Sequence, residues 1–175
     1  MNSKAKILIA DDDVAIVTSL RLLLSHSGFD VLHANSPGES VFLAEKYLPD
    51  LLLLDMNYTQ DTTSGNEGLN LIARLRQWDE QVPIVVMTGW ATIDLAVSAM
   101  QKGATDFVQK PWDNNRLLST IKAQLKISAA QKQSHRLSRE NQILKDDLKN
   151  QTLPMIAHSS AMQSLLKQCS QAAQS

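Results

Sequence analysis

Asp11 and Asp12 follow the apolar run Ile7-Leu8-Ile9-Ala10, and Asp55 follows the four leucines Leu51 to Leu54. Carboxylates brought together by folding repel one another unless something positive lies between them. A divalent cation answers that need. A hard ion such as Mg2+ is held by few carboxylates, keeps several waters and takes a phosphate oxygen as a further ligand. The chemistry that suits this set is phosphoryl transfer to a carboxylate. Asp55 is the candidate nucleophile. Asp11, Asp12 and Asp55 are the candidate Mg2+ ligands, completed by the backbone carbonyl of Asn57, two residues past Asp55. Lys110 offers a fixed positive charge to one phosphoryl oxygen, and the Thr88 hydroxyl offers a hydrogen bond to another. Catalysis of this kind is positioning plus electrostatics.

For these residues to meet, the elements between them must form a parallel sheet. The runs before Asp11 and through Asp55 are continuous in hydrophobicity rather than alternating, as in strands covered by helices on both faces. Strands are expected at 6–10, 29–33, 51–55, 83–87 and 105–109, and helices at 14–27, 37–47, 66–77, 91–102 and from 113 onward. This alternation implies an α/β fold with right-handed crossovers. Asp13 suits the N-cap of the first helix, whose apolar face carries Ile16, Leu20, Leu23 and Leu24. Gly28 and Gly103 suit the C-terminal stops of the first and fourth helices. Asp11, Asp12, Asp55, Thr88 and Lys110 then lie at the carboxyl ends of strands, where open α/β sheets place ligands. His26, His33, His135 and His158 share no ligand-like spacing and read as surface residues.

Composition removes other classes. With 17 basic against 18 acidic side chains in 175 residues, charge gives no argument for a nucleic-acid or membrane surface. A single cysteine, Cys169, excludes an internal disulfide and fits a reducing cytosol. No run approaches the roughly 20 apolar residues needed to span a bilayer, so a cytoplasmic protein without membrane contact is expected. Beyond about residue 125 the chain becomes rich in Lys, Gln, Arg, Ser and Glu. Leu137, Asn141, Leu144 and Leu148 repeat with the spacing of a two-stranded coiled-coil seam, in which an Asn fixes register. The alternative is a solvated single helix. Residues 151–175 open on a break at Pro154 and end in a helical pattern from Met162 to Gln174, too short for a core of their own.

The run Ile7 to Asp13, Asp55, Thr88-Gly89 and the Lys110-Pro111 pair together resemble the receiver domain of bacterial two-component response regulators. The resemblance covers residues 4–124. It implies a flavodoxin-like (CheY-like) five-stranded sheet of order 2-1-3-4-5. A phosphohistidine on a sensor histidine kinase would be the donor, and Mg2+ the cofactor. Self-phosphorylation and self-dephosphorylation would be the only chemistry, so the chain is not expected to be an enzyme. It further implies a cis peptide at Lys110-Pro111. Phe107, otherwise plain core, becomes the switch aromatic that turns inward as Thr88 moves toward the phosphoryl group.

Residues Met155 to Gln163, with Gly103 to Phe107 and Pro111-Trp112, resemble the NtrC-type, sigma-N-dependent transcriptional activators. That family implies three parts: a receiver at 4–124, a helical coiled-coil linker at 125–151, and the beginning of an AAA+ ATPase domain at 152–175. By the same resemblance the full-length protein binds DNA and the sigma-N RNA polymerase holoenzyme. This chain has no Gly-x-x-x-x-Gly-Lys-Ser/Thr phosphate loop, so ATP hydrolysis is not expected of it, and no basic recognition helix, so no direct nucleic-acid binding is expected either. A homodimer is expected through the linker helix and the face of the fourth helix, fifth strand and fifth helix.

Two departures from the family stand out. The loop from Met56 to Gly68 is longer than the usual short turn. Trp90, two residues after Thr88, stands where the family limits attacking water, which implies slow self-hydrolysis. Rival readings are a non-phosphorylated receiver-like module for dimerisation and protein interaction, and a flavin carrier or aspartate-nucleophile phosphatase. The acidic Asp11-Asp12-Asp13 turn would repel a cofactor phosphate, and a phosphatase would place its nucleophile on the first strand.

Overall fold

Buried apolar runs become strands here because both their faces find helices. The computed structural model describes residues 4–56, 66–89, 93–150 and 164. Its elements run β1 (Lys6–Ala10), α1 (Val14–His26), β2 (Asp30–Ala34), α2 (Pro37–Tyr47), β3 (Leu51–Asp55), α3 (Asn66–Trp78), β4 (Ile84–Thr88), α4 (Ile93–Gln101), β5 (Asp106–Gln109) and α5 (Asn114–Asn150). All the strand pairs are parallel, in the order β2-β1-β3-β4-β5. This is the CheY-like α/β fold followed by a long C-terminal helix, as the resemblance implies.

The period-two pleat sorts the strands into two cores. Leu8, Leu52, Leu54, Ile84 and Val86 pack with Ala44 of α2 and Leu71, Ile72 and Leu75 of α3. Ile7, Ile9, Leu51, Leu53, Val85 and Met87 pack with Val17, Leu20 and Leu24 of α1 and Leu117 and Ile121 of α5. Leu51 to Leu54 are wholly buried, each stabilising the fold by about 1.5–3 kcal/mol relative to exposure. Such central strands leave the site residues a rigid base.

The helix ends follow the local chemistry. Asp13 caps α1, its Oδ1 accepting from the N–H of Ala15 at 2.8 Å and of Ile16 at 3.3 Å. Gly28 and Gly103 both hold positive φ, 90° and 107°, just beyond α1 and α4, as their sequence positions suggest. Against Gly103 lies the Arg76 guanidinium of α3, donating to the carbonyls of Gly103 and Asp79, each at 2.9 Å. Burial lowers the Arg76 pKa, with the Asp79 charge opposing.

Some expectations need correction. The second strand begins at Asp30, one residue late, because the Phe29 N–H is taken by Leu24 O at 3.1 Å in the turn that ends α1. Val17, absent from the expected apolar face of α1, is buried there, while Ile16 and Leu23 are only partly covered. Thr88 lies within the fourth strand rather than after it, paired with Gln109.

The chain divides into two units, Met1–Lys132 and Gln133–Ser175. In α5 every side chain from 129 to 147 is exposed. Leu137 and Leu144 of the expected seam are 50% and 60% exposed. The side chain of Leu148 and the expectations for 151–175, including Pro154, His158 and Cys169, lie outside the described residues. No helix among the described residues is long and apolar enough to cross a membrane.

Candidate functional site

Register brings the site together. Ala10 pairs with Leu54, Leu54 with Val86, and Val86 with Phe107. The next residue on each of the first two strands is therefore Asp11 and Asp55, at one level of the sheet. One step further on, Thr88 pairs with Gln109, and the Lys110 N–H donates to Thr88 O at 2.7 Å. Four strands of independent sequence thus end on one rim, their hydrogen-bond ladders stopping within two residues of one another.

One carboxylate oxygen from each of Asp11, Asp12 and Asp55 lies within 4.8 Å of the others. Asp11 is wholly buried and Asp55 is 6% exposed. The Lys110 ammonium sits between them, with Nζ 2.8 Å from Asp11 Oδ2 and 3.1 Å from Asp55 Oδ1. Asp11 Oδ1 accepts the Asp13 N–H at 2.9 Å. Three carboxylates against one ammonium leave a local formal charge of −2. A divalent cation would cancel that charge, and an all-oxygen donor set is what a hard ion prefers. The residues therefore fit Mg2+.

Thr88 supplies a second sign of a missing ligand. Its Oγ1 is buried without a hydrogen-bond partner among the described residues. A buried hydroxyl without a partner costs stability, so a ligand oxygen brought to this rim would find a donor in it. Gly68, at the start of α3, is fixed by close approach to the end of β3. A Cβ there would stand 2.8 Å from Met56 Cα and 3.0 Å from Met56 O.

The expected site residues Asp11, Asp12, Asp55, Thr88 and Lys110 thus converge. The Lys110-Pro111 peptide is cis. Phe107 is 41% exposed, on the outer side of β5 rather than in the core. Beside the rim, Ile16, Lys110, Pro111 and Trp112 line an open depression of about 470 Å³. Asn57, Trp90 and the centre of the long loop after Met56 lie outside the described residues.

Sequence reasoning missed one residue. His33, read as a surface histidine, is partly buried on β2, its Nε2 3.0 Å from the backbone oxygen of Asp11. Nothing in the local sequence signals this, because the contact depends on the β1–β2 register. His26 and His135 are exposed, as expected.

The fold, the acidic rim and the lysine between its carboxylates define a receiver of the response-regulator kind. The family model for the response regulator receiver domain matches residues 7–122, and the chain belongs to that family. Among known proteins it is similar to the alginate biosynthesis transcriptional regulatory protein AlgB of Pseudomonas aeruginosa, 30% identical over 170 residues, covering 97% of this chain and 35% of that protein. It is also similar to the transcriptional regulatory protein FixJ of Bradyrhizobium diazoefficiens, 32% identical over 128 residues, covering 72% of this chain and 59% of that one. The chain spans about a third of the length of the AlgB relatives it matches.

Solved structures agree. A CheY-like receiver domain protein from Methanospirillum hungatei JF-1 superposes with a TM-score of 0.68 at 29% identity, covering 74% of this chain and 99% of that one. NtrX from Brucella abortus superposes with a TM-score of 0.65 at 28% identity, covering 95% of this chain and 34% of that one.

Proposed function

We propose that this chain is the phosphoacceptor part of a two-component system, taking a phosphoryl group from a sensor histidine kinase onto Asp55. The observation that carries this reading is the Lys110 ammonium held against Asp11 and Asp55 beneath a three-carboxylate cluster. An Asp55 carboxylate oxygen attacks phosphorus, the phosphorus–nitrogen bond to the donor imidazole breaks, and that nitrogen keeps the electron pair. Lys110, already within reach of Asp55, stabilises charge on a phosphoryl oxygen. The Thr88 hydroxyl, without a partner among the described residues, donates to another oxygen. Asp11, Asp12 and Asp55, with the Asn57 carbonyl, would hold Mg2+, whose charge would offset the repulsion between two approaching anions.

The output reading rests on the relatives. Similarity to AlgB over 97% of this chain, and to NtrX over 95%, supports an NtrC-type, sigma-N-dependent activator in which a receiver (4–124) and a coiled-coil linker (125–151) precede an AAA+ domain that begins at 152–175. The receiver would act in the cytoplasm, on DNA-bound transcription only through the rest of that protein. The exposed Leu137 and Leu144 support dimerisation through the linker, with the α4–β5–α5 face as a second contact. Phosphorylation would alter that dimer, with Phe107 turning inward, and so regulate the ATPase.

Mass spectrometry after incubation with a small phosphodonor and Mg2+ tests the core of the proposal. A single phosphoryl adduct, lost in Asp55→Asn, is expected. Flavin absorbance, or multiple turnover of phosphate esters, would instead reveal an enzyme.

A further inference from the structure

We infer that His33 is a positioning residue that sets the direction of the Asp11-Asp12 turn and so tunes the divalent-cation site. The inference rests on the reading that Asp11 and Asp12 hold that cation. β2 is an edge strand, and its pairing with β1 ends at Ala10 and Ala34. Asp11 lies one residue beyond, wholly buried, so its backbone groups must find partners outside the ladder. The N–H donates to Ala34 O at 3.2 Å. The carbonyl is met by His33 Nε2 at 3.0 Å. A carbonyl oxygen only accepts, so Nε2 carries the ring hydrogen.

The acceptor matters because of where it sits. The Asp11 carbonyl belongs to the peptide that joins Asp11 to Asp12. Rotation about the Asp11 Cα–C bond would swing this oxygen and the Asp12 backbone together, since the peptide is planar. The Asp11 carboxylate is secured separately, by the Asp13 N–H and by Lys110. The bond from His33 therefore adds, beside the turn closed by the Asp13 N–H, a direct hold on the angle at which Asp12 leaves Asp11. Groups that hold metal-binding carboxylates in place typically govern affinity by about tenfold or more.

The experiment compares wild type, His33→Leu and His33→Gln in the full chain. Mg2+ affinity is measured by calorimetry, and thermal unfolding is followed in EDTA. His33→Leu is expected to weaken Mg2+ about tenfold. His33→Gln, whose amide N–H reaches the same carbonyl, is expected to restore affinity to within about threefold of wild type. A residue that only fills space would lower the melting temperature in both variants without separating their affinities.

Equal Mg2+ affinity in wild type and His33→Leu would overturn the inference, as would a Gln variant no better than Leu. If wild type itself fails to bind Mg2+, the underlying cation reading falls and this inference falls with it. Should His33→Leu not fold, nitrogen NMR of wild type decides. The neutral ring must carry its hydrogen on Nε2, and its resonance must move as Mg2+ is added. A hydrogen on Nδ1 instead would defeat the assignment.

Discussion

Replacing Lys110 by methionine should push metal affinity and phosphorylation in opposite directions. The ammonium lies 2.8 Å from one carboxylate and 3.1 Å from another, with its side chain 16% exposed. Each contact is worth about 5–6 kcal/mol in gross attraction at an effective dielectric of about 20, before the cost of desolvating the ammonium. Breaking a buried pair by removing one partner costs about 3–5 kcal/mol. Partial exposure and the compensating solvation of the lost charge place Lys110→Met at the lower end, about 3 kcal/mol less stable without metal. The same change takes the local formal charge from −2 to −3.

A cation bound to the shared oxygens would no longer face an ammonium. Even in water's dielectric, a unit charge about 4 Å from a divalent ion contributes about 2 kcal/mol of repulsion, more than tenfold in Kd. Lys110→Met should therefore bind Mg2+ at least tenfold more tightly, by calorimetry, and show a larger Mg2+-induced rise in melting temperature. Its rate of phosphorylation by a small phosphodonor at saturating Mg2+ should fall by about 100-fold, the usual cost of losing a charge-stabilising donor. Unchanged or weaker Mg2+ binding in the variant would refute the electrostatic account of the rim.

Thr88→Val should leave the unphosphorylated protein as stable or up to about 1 kcal/mol more stable in urea, because it removes a buried hydroxyl without a partner among the described residues. It should also slow phosphorylation at least about tenfold, with Thr88→Ser retaining most of the rate; a clear loss of resting stability would show that the hydroxyl already has a partner. Gly68→Ala should destabilise by about 1–3 kcal/mol, since the new methyl meets the Met56 backbone at 2.8 Å and overpacking outweighs the better helix propensity. Equilibrium urea unfolding reads this, and a wild-type midpoint would mean that β3 and α3 part easily.

Much of this protein was legible before any coordinates. Uninterrupted apolar runs such as Leu51 to Leu54 identify doubly covered strands, because only a parallel sheet with helices on both faces buries every side chain of a strand. Asp13, Gly28 and Gly103 mark helix ends because capping and positive φ are local chemistry. Residue type together with position nominated Asp11, Asp12, Asp55, Thr88 and Lys110, since each stands at or just beyond the end of an apolar strand pattern.

Other features needed the tertiary structure, because they depend on which residues far apart in sequence share a register. That Lys110 bridges Asp11 and Asp55, that the Thr88 hydroxyl is buried, and that Gly68 abuts Met56 are consequences of packing. The same holds for the surface side of Phe107 and for the reach of His33 to the Asp11 carbonyl. Hydrophobic pattern says which face of a strand is buried. Only the ladder between β1 and β2 decides that a histidine on one strand ends beside the backbone carbonyl that follows the other.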